Sequence, residues 1–205
     1  LWFTEGLAEY WSTEWDAQIP EAGMYNIWVP LDTPFVVNGP FFAGFLFGFD
    51  TVVISGAEQT IQKLWGLSAG MHGLAMGSAL YGTVLGSLLG GWPTDKFGRK
   101  PTLLFIGVLY VLSAMGCGFA NGVGMFIAAR FIGGIGIGIS TVAAPLYISE
   151  IAPPAYRGRL AGMFQFNIVF GILVAFASNA ALAGIGENAW RWMLGVAAFP
   201  SIIYT

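Results

Sequence analysis

Two charged side chains lie inside long apolar stretches of this 205-residue chain, and they are the first candidates for chemistry. Asp50 stands in FFAGFLFGFDTVVISGA, with no other charge between Thr33 and Ala57, and Arg130 stands in MFIAARFIGGIGIGIS. A charge at the centre of a membrane helix costs about 2.5 to 3.5 kcal/mol on insertion scales, so it is expected to face the protein interior or water and to have a partner. If these stretches cross a bilayer, the acid and the base are candidates for an ion pair or an ion path.

A second group of charges lies in the polar segments between the apolar stretches. GWPTDKFGRKP contains Asp95, Lys96, Arg99 and Lys100, and PLYISEIAPPAYRGRL contains Glu150, Arg157 and Arg159. One interpretation is a pair of solvated loops whose bases only set the membrane orientation. Each segment, however, mixes acids with bases beside prolines that restrict the backbone, which favours two segments that interlock.

The composition identifies the elements that must carry these side chains. Hydrophobic residues make up 56% of the chain and charged residues 9%, against roughly 25% charged in a soluble domain. Windows of low charge run from 35 to 56, 67 to 92, 102 to 121, 123 to 149, 160 to 186 and 192 to the end. They are too long and too uniformly apolar for the roughly ten-residue alternating strands of a β-barrel. The sequence therefore predicts an all-α membrane bundle of five spans and part of a sixth.

The distribution of Lys and Arg predicts the orientation of this bundle. Five bases lie in the two polar segments described above, whereas only Lys63 and Arg191 lie on the opposite side. Short loops rich in Lys and Arg stay in the cytoplasm. We therefore expect the first span to run from inside to outside, with the N-terminus in the cytoplasm.

Helix geometry gives Asp50 and Arg130 similar depths. Asp50 lies six residues before the outer end of the first window, and Arg130 lies seven residues after the outer start of the fourth. At a rise of ~1.5 Å per residue these positions are about 9 and 10 Å below the outer boundary. An Asp50–Arg130 pair is thus geometrically possible. It could be a static structural pair or one that titrates, and intramembrane ionisable residues favour the second interpretation because they usually mark pathways.

The acidic N-terminus and the absence of catalytic motifs reduce the number of function classes to consider. The first 32 residues hold six of the eleven acids and no Lys or Arg, and nothing basic is left over for nucleic acid. The sequence has no metal-ligand cluster and no nucleophile paired with a base, so we expect no enzyme, no metal and no cofactor. His72 is expected to be solvated or lightly packed, Cys117 to be a small core residue, and Trp190 and Trp192 to lie at the membrane interface.

Three motifs in order resemble the major facilitator superfamily. GWPTDKFGRK resembles its motif of a Gly, an Asp four residues later, a base, and a closing Gly-Arg-base. RFIGGIGIGISTVAAPLYISEIAPPAYRG resembles the sugar porter family, with Arg-x-x-Gly-Gly, Pro-x-Tyr-x-x-Glu and Arg-Gly elements. GFLFGFDTVVISG is similar to the first helix of the bacterial sugar–proton symporters in that family. The resemblance covers about residues 40 to 205, so we divide the chain into an atypical acidic head, 1–38, and a partial N-terminal transmembrane bundle, 39–205.

The resemblance implies a carrier of twelve helices in two six-helix bundles, with a sugar site at the midplane and alternating access by rocking. This chain would then contain about five and a half helices of the N-terminal bundle. We expect both ends of the chain to be cut, and we expect the C-terminal half of the same protein to be its partner. We expect a multi-pass protein of the cell (plasma or inner) membrane.

The resemblance also implies roles for single residues. Asp50 falls on the carboxylate that proton-coupled members use, and Arg130 falls on its fourth-helix partner, whereas facilitative transporters carry Asn at the Asp50 position. Gln165 matches a glutamine that contacts the sugar, and Asn167, on another face, is a weaker candidate. The cytoplasmic network that locks the outward-facing state of the family corresponds to Asp95, Arg99, Glu150 and Arg157.

These implications predict a secondary active transporter that imports a monosaccharide by proton symport, with the sugar, the proton and the lipid bilayer as its partners. Ile172 stands where xylose symporters have a second Gln, which favours a hexose. Two alternatives remain open. One is a sugar uniporter whose Asp50–Arg130 pair is only structural, and the other is a transporter-like receptor that binds sugar without flux.

Overall fold

The computed structural model describes residues 34–151, 157–184, 186 and 188–204. Most of the predicted acidic head therefore lies outside the described residues. Within the described ranges the chain is helical, with short turns between helices and no strand. This confirms the predicted all-α class.

Nine α-helices are described. They are α1 (Pro34–Val53), α2 (Glu58–Leu64), α3 (Ala69–Leu89), α4 (Gly91–Phe97), α5 (Arg99–Gly118), α6 (Val123–Ile151), α7 (Arg157–Leu182), α8 (Ala189–Gly195) and α9 (Ala198–Tyr204), and a 3₁₀ turn, Ile54–Gly56, follows α1. Among the described residues, four helices are long and apolar enough to cross a membrane, and a fifth span results if the bent pair α3 and α4 is taken as one.

Two expectations for the spans need correction. The segment after residue 92 was expected to form a loop, but it is a helix–Gly98–helix corner, because Gly98 takes the left-handed φ of +89° between α4 and α5. That conformation is open to glycine at little steric cost. The sixth window is not one continuous helix in the described range but two short ones, α8 and α9.

Glycines let the principal helices approach closely. A Cβ built on Gly86 of α3 would overlap the carbonyl of Ile135 on α6, and one built on Gly48 of α1 would overlap the carbonyl of Ile168 on α7. Small residues at such positions allow backbones to contact directly and gain van der Waals packing where lipid supplies no hydrophobic driving force. The result is a bundle in which α3 packs along α6, α1 packs along α7, and α5 packs on the other side of α6.

An aromatic cluster closes one end of this bundle. The Trp65 ring contacts the rings of Phe126 and Trp190 edge-on, with centroid distances of 5.8 and 5.6 Å. Trp190 is 1% exposed, so it does not face lipid or water as expected, whereas Trp192 is 63% exposed. Residues two apart on a helix point in different directions, but the sequence does not state which of the two tryptophans faces the interior of the bundle.

Candidate functional site

Helices α1 and α6 bring Asp50 and Arg130 into contact. Arg130 Nη1 donates to Asp50 Oδ1 at 3.0 Å, and both terminal nitrogens lie 3.4 Å from the backbone carbonyl of Asp50. The side chain of Asp50 is 10% exposed and that of Arg130 is 3% exposed. Removal of one partner from such a pair leaves an uncompensated buried charge, which typically costs 3 to 5 kcal/mol. The two charges that the sequence singled out therefore form a buried ion pair.

The pair leaves part of its hydrogen-bonding capacity unused. In the described part of the chain, Asp50 Oδ2 and Arg130 Nε are buried and have no hydrogen-bond partner. The hydroxyl of Ser113 on α5 is in the same condition. Because an unsatisfied buried polar group is costly, each such group calls for a physical explanation. Sequence reasoning did not select Ser113, since a serine in an apolar helix is common.

Apolar packing surrounds the ion pair on the side of the aromatic cluster. Phe49 and Val53, which flank Asp50 on α1, belong to the same buried cluster as Phe126 and Trp190. Their side chains are 3% or less exposed. The carboxylate and the guanidinium are therefore shielded from bulk solvent at this end, which strengthens the attraction between them.

His72 and Glu58 join two elements at the same end as the aromatic cluster. His72 Nε2 lies 3.1 Å from Glu58 Oε1, and the two side chains are 15% and 48% exposed. The expectation of a solvated or lightly packed histidine is therefore wrong. Glu58 is the first residue of α2. This short helix lies between the first and second predicted spans and was not predicted from the sequence. This contact links α2 to α3.

A second ion-pair cluster lies at the opposite end. Arg99 Nη2 lies 2.8 Å from Glu150 Oε1, and Arg99 Nη1 lies 3.3 Å from Asp95 Oδ1. The same guanidinium donates to the carbonyl of Thr94 at 3.1 Å. Arg99 thus connects α4, the start of α5 and the end of α6. Arg157 begins α7, but its side chain lies outside the described residues.

Comparison with known proteins identifies the family. Residues 37–205 match the family described as "Sugar (and other) transporter". The chain belongs to this sugar transporter family. The members of this family are transporters rather than enzymes, which accords with the expectation from the sequence, and they are integral membrane proteins of the cell membrane.

Two curated relatives show the range of this similarity. The chain is 41% identical to the "Glucose transport protein" of Synechocystis over 78% of its length and 37% of that protein. It is 40% identical to the "Arabinose-proton symporter" of Escherichia coli K12 over 78% of its length and 34% of that protein. The chain therefore spans roughly a third of the length of these relatives.

A solved structure supports the same fold. The partially occluded, inward-open form of the xylose transporter XylE from E. coli has a TM-score of 0.78 with this chain and is 30% identical to it. The match covers 83% of this chain and 48% of XylE. The predicted major facilitator bundle, with the N-terminal half represented, is thereby confirmed.

Helix α7 carries the two predicted sugar-contacting residues. Gln165 is exposed, whereas Asn167 is partly buried and donates through Nδ2 to the carbonyl of Met163 at 2.8 Å. The structure therefore does not bring the two amides together, because residues two apart on a helix point in different directions. Their roles remain predictions.

Proposed function

We propose that the full-length protein is a secondary active transporter that imports a monosaccharide together with a proton by alternating access. The observation that carries the proposal is the buried Asp50–Arg130 ion pair, in which one carboxylate oxygen has no partner. A carboxylate in this position can take up a proton without first breaking its contact at Oδ1. The family and the names of its proton-linked relatives support this assignment.

Protonation changes the electrostatics of the pair. When Asp50 is charged, its attraction to Arg130 holds α1 against α6 in a low-dielectric environment. When Asp50 is neutral, that attraction falls and Arg130 keeps only hydrogen bonds to neutral oxygens, which are about half as strong. Proton binding from outside therefore loosens the contact between the two helices, and sugar then binds between the two halves of the carrier.

For the sugar itself, we propose a contact from the exposed Gln165, with Asn167 as a second candidate. The related proteins named above are described as carriers of glucose, arabinose and xylose, so they support the monosaccharide class rather than one sugar. The preference for a hexose rests on Ile172. It lies seven residues after Gln165, at the position where xylose symporters have a second Gln. It remains part of the proposal.

We also propose that the Arg99 cluster is the cytoplasmic gate and that the N-terminus is cytoplasmic. The ion pairs of Arg99 with Asp95 and Glu150 hold the ends of α4, α5 and α6 together on the side rich in Lys and Arg. These contacts must separate when the carrier opens inward. Arg157 is assigned to the same gate from sequence alone.

The test uses Asp50→Asn in the full-length protein, reconstituted in vesicles with an imposed proton gradient. We expect sugar accumulation against its gradient to be lost, while counterflow of labelled sugar continues, because neutral Asn mimics the protonated state. Glu58→Gln is the matched control, since it neutralises an acid outside the spans, and it should keep accumulation.

Three outcomes would each contradict a part of this proposal. Uphill accumulation by Asp50→Asn would show that Asp50 does not couple the proton. Wild-type flux without alkalinisation of the external medium would indicate a uniporter with a structural ion pair. Binding of sugar without any flux would indicate a receptor.

A further inference from the structure

Ser113 differs from the other buried serines and threonines of the described ranges. The others are Ser78, Thr94, Thr102, Ser140 and Ser201. Each of them donates to a carbonyl three or four residues earlier in the chain, at 2.6 to 2.8 Å. This is the usual way in which a helix satisfies a buried hydroxyl. Ser113 is 1% exposed, and its Oγ makes no such backbone bond; its side-chain contact is with the thiol of Cys117, one turn further along α5, which is only a weak hydrogen-bonding group.

The position of Gly133 shows where the Ser113 hydroxyl points. A Cβ built on Gly133 of α6 would overlap Ser113 Oγ and would lie 3.9 Å from Asp50 Oδ2. The serine oxygen and the unused carboxylate oxygen therefore lie beside the same backbone position. Their separation is within roughly two hydrogen-bond lengths, the span that one bridging water covers. Gly133 also lies one helical turn after Arg130, so the ion pair and Ser113 share one site.

The chemistry of the two groups is complementary. A charged carboxylate only accepts hydrogen bonds, whereas a protonated one also donates, and a serine hydroxyl can do both. A hydroxyl beside Oδ2 can therefore donate to charged Asp50 and accept from protonated Asp50. Arg130, which only donates, cannot serve the second state at this oxygen.

We propose that Ser113 is the second polar partner of Asp50, bonding Oδ2 directly or through one water and thereby helping to set the pH at which the proton site loads. This proposal rests on the proton-coupled function proposed above. Ser113 acts as a positioning residue, since the transferred proton binds Asp50. Gly133 is required in the same site, because any larger residue would displace the hydroxyl.

Few other groups can titrate in this region. On α5, Tyr110 and Cys117 lie near enough to Asp50 for electrostatic interaction, and α6 contributes Arg130. Among the other helices packed against α1, α9 has Tyr204, and residues 160–182 of α7 have no ionisable side chain. Ordinary thiols and phenols lose their protons above about pH 8. A shift measured below that pH therefore does not come from these thiol and phenol groups.

The experiment measures the pH dependence of sugar uptake by Ser113→Ala and Ser113→Cys in the full-length transporter. Hydrogen bonds to a charged acceptor are about twice as strong as neutral ones. Loss of the donor therefore disfavours charged Asp50, and half-maximal uptake should move by about 0.5 to 1 pH unit toward higher pH. Cys keeps the shape of the side chain and fills the site with a larger atom, but it is only a weak donor, so it should shift in the same direction. Ser78→Ala is the control and should leave the profile unchanged.

The variants separate the possible failures. A wild-type pH profile in Ser113→Ala would overturn the proposal, and so would a shift in Ala that Cys fails to reproduce, since volume would then be responsible. If Ser113→Ala does not reach the membrane, Ser113→Cys carries the test alone. Asp50→Asn is measured in parallel: if it still accumulates sugar, the proposed coupling role of Asp50 fails, whereas its loss of accumulation beside an unshifted Ser113→Ala contradicts only the role of Ser113.

Discussion

At the residue scale, Asp50 uses its two carboxylate oxygens differently. Oδ1 accepts from Arg130 at 3.0 Å, and Oδ2 lies beside Gly133 without a partner. A pair with both oxygens engaged by the guanidinium would be more stable but would have no site ready for a proton. The arrangement therefore leaves one carboxylate oxygen outside the ion pair, which is the oxygen that the proposed proton site requires.

The sequence predicted only part of this site. Each charge in an apolar window is conspicuous, and the constant rise of a helix converts sequence position into depth, so Asp50 and Arg130 could be placed at one level. Ser113 could not be identified, because its role depends on the rotation of α5 relative to α6. That rotation is fixed by packing, which a single sequence does not state.

The coupling between Asp50 and Arg130 can be measured by a double-mutant cycle. Arg130→Met alone should lower the thermal stability of the full-length protein strongly, since it leaves a buried carboxylate uncompensated at a cost of about 3 to 5 kcal/mol. In an Asp50→Asn background the same change should cost clearly less, with an interaction energy of at least ~1 kcal/mol. Tm measured in detergent for the four proteins reports this difference. Additive Tm shifts would show that the two side chains do not interact energetically.

At the element scale, glycines set the closest helix contacts. Gly82, Gly86, Gly134 and Gly138 lie between α3 and α6, where an added Cβ would strike the backbone of the facing helix. Their four-residue spacing places each pair on one face of its helix, where a neighbouring helix can approach closely. Hydropathy did not predict the corner at Gly98 or the division of the sixth window into two helices. It averages over a whole window, so an interruption of the helix by one or two residues does not change it.

The α1–α7 contact gives a matched pair of substitutions. Gly48→Ala should lower Tm, because its Cβ would overlap the carbonyl of Ile168, and overpacking of this kind typically costs about 1 to 3 kcal/mol. Gly73→Ala, in α3, meets nothing within 4 Å and should leave Tm unchanged or raise it slightly, since Ala is the better helix former. Thermal unfolding of both purified variants gives the comparison. Equal Tm values would contradict the close approach of α1 and α7.

At the scale of the whole molecule, the two ion-pair clusters lie at opposite ends of the bundle. Asp50–Arg130 lies toward the end closed by Trp65, and Arg99–Glu150 lies toward the other. Helix α7 is sparsely covered, with 22% of its apolar window buried, and its exposed residues include Phe166, Phe170 and Phe176. A carrier whose halves rock needs such a face for lipid or for its second half. The described bundle therefore suits one half of the proposed transporter.

The proposed orientation of this half can be tested with single cysteines. Cys117 is 2% exposed, so Cys117→Ala gives a background without competing labelling. In that background, Lys63→Cys should react with a membrane-impermeant maleimide in intact cells, because α2 lies at the proposed outer end, where Lys63 is exposed. Lys96→Cys, exposed in α4 at the opposite end, should react only after permeabilisation. The reversed pattern would invert the bundle, placing Asp50 nearer the cytoplasm, and proton entry from outside would then have to follow another path.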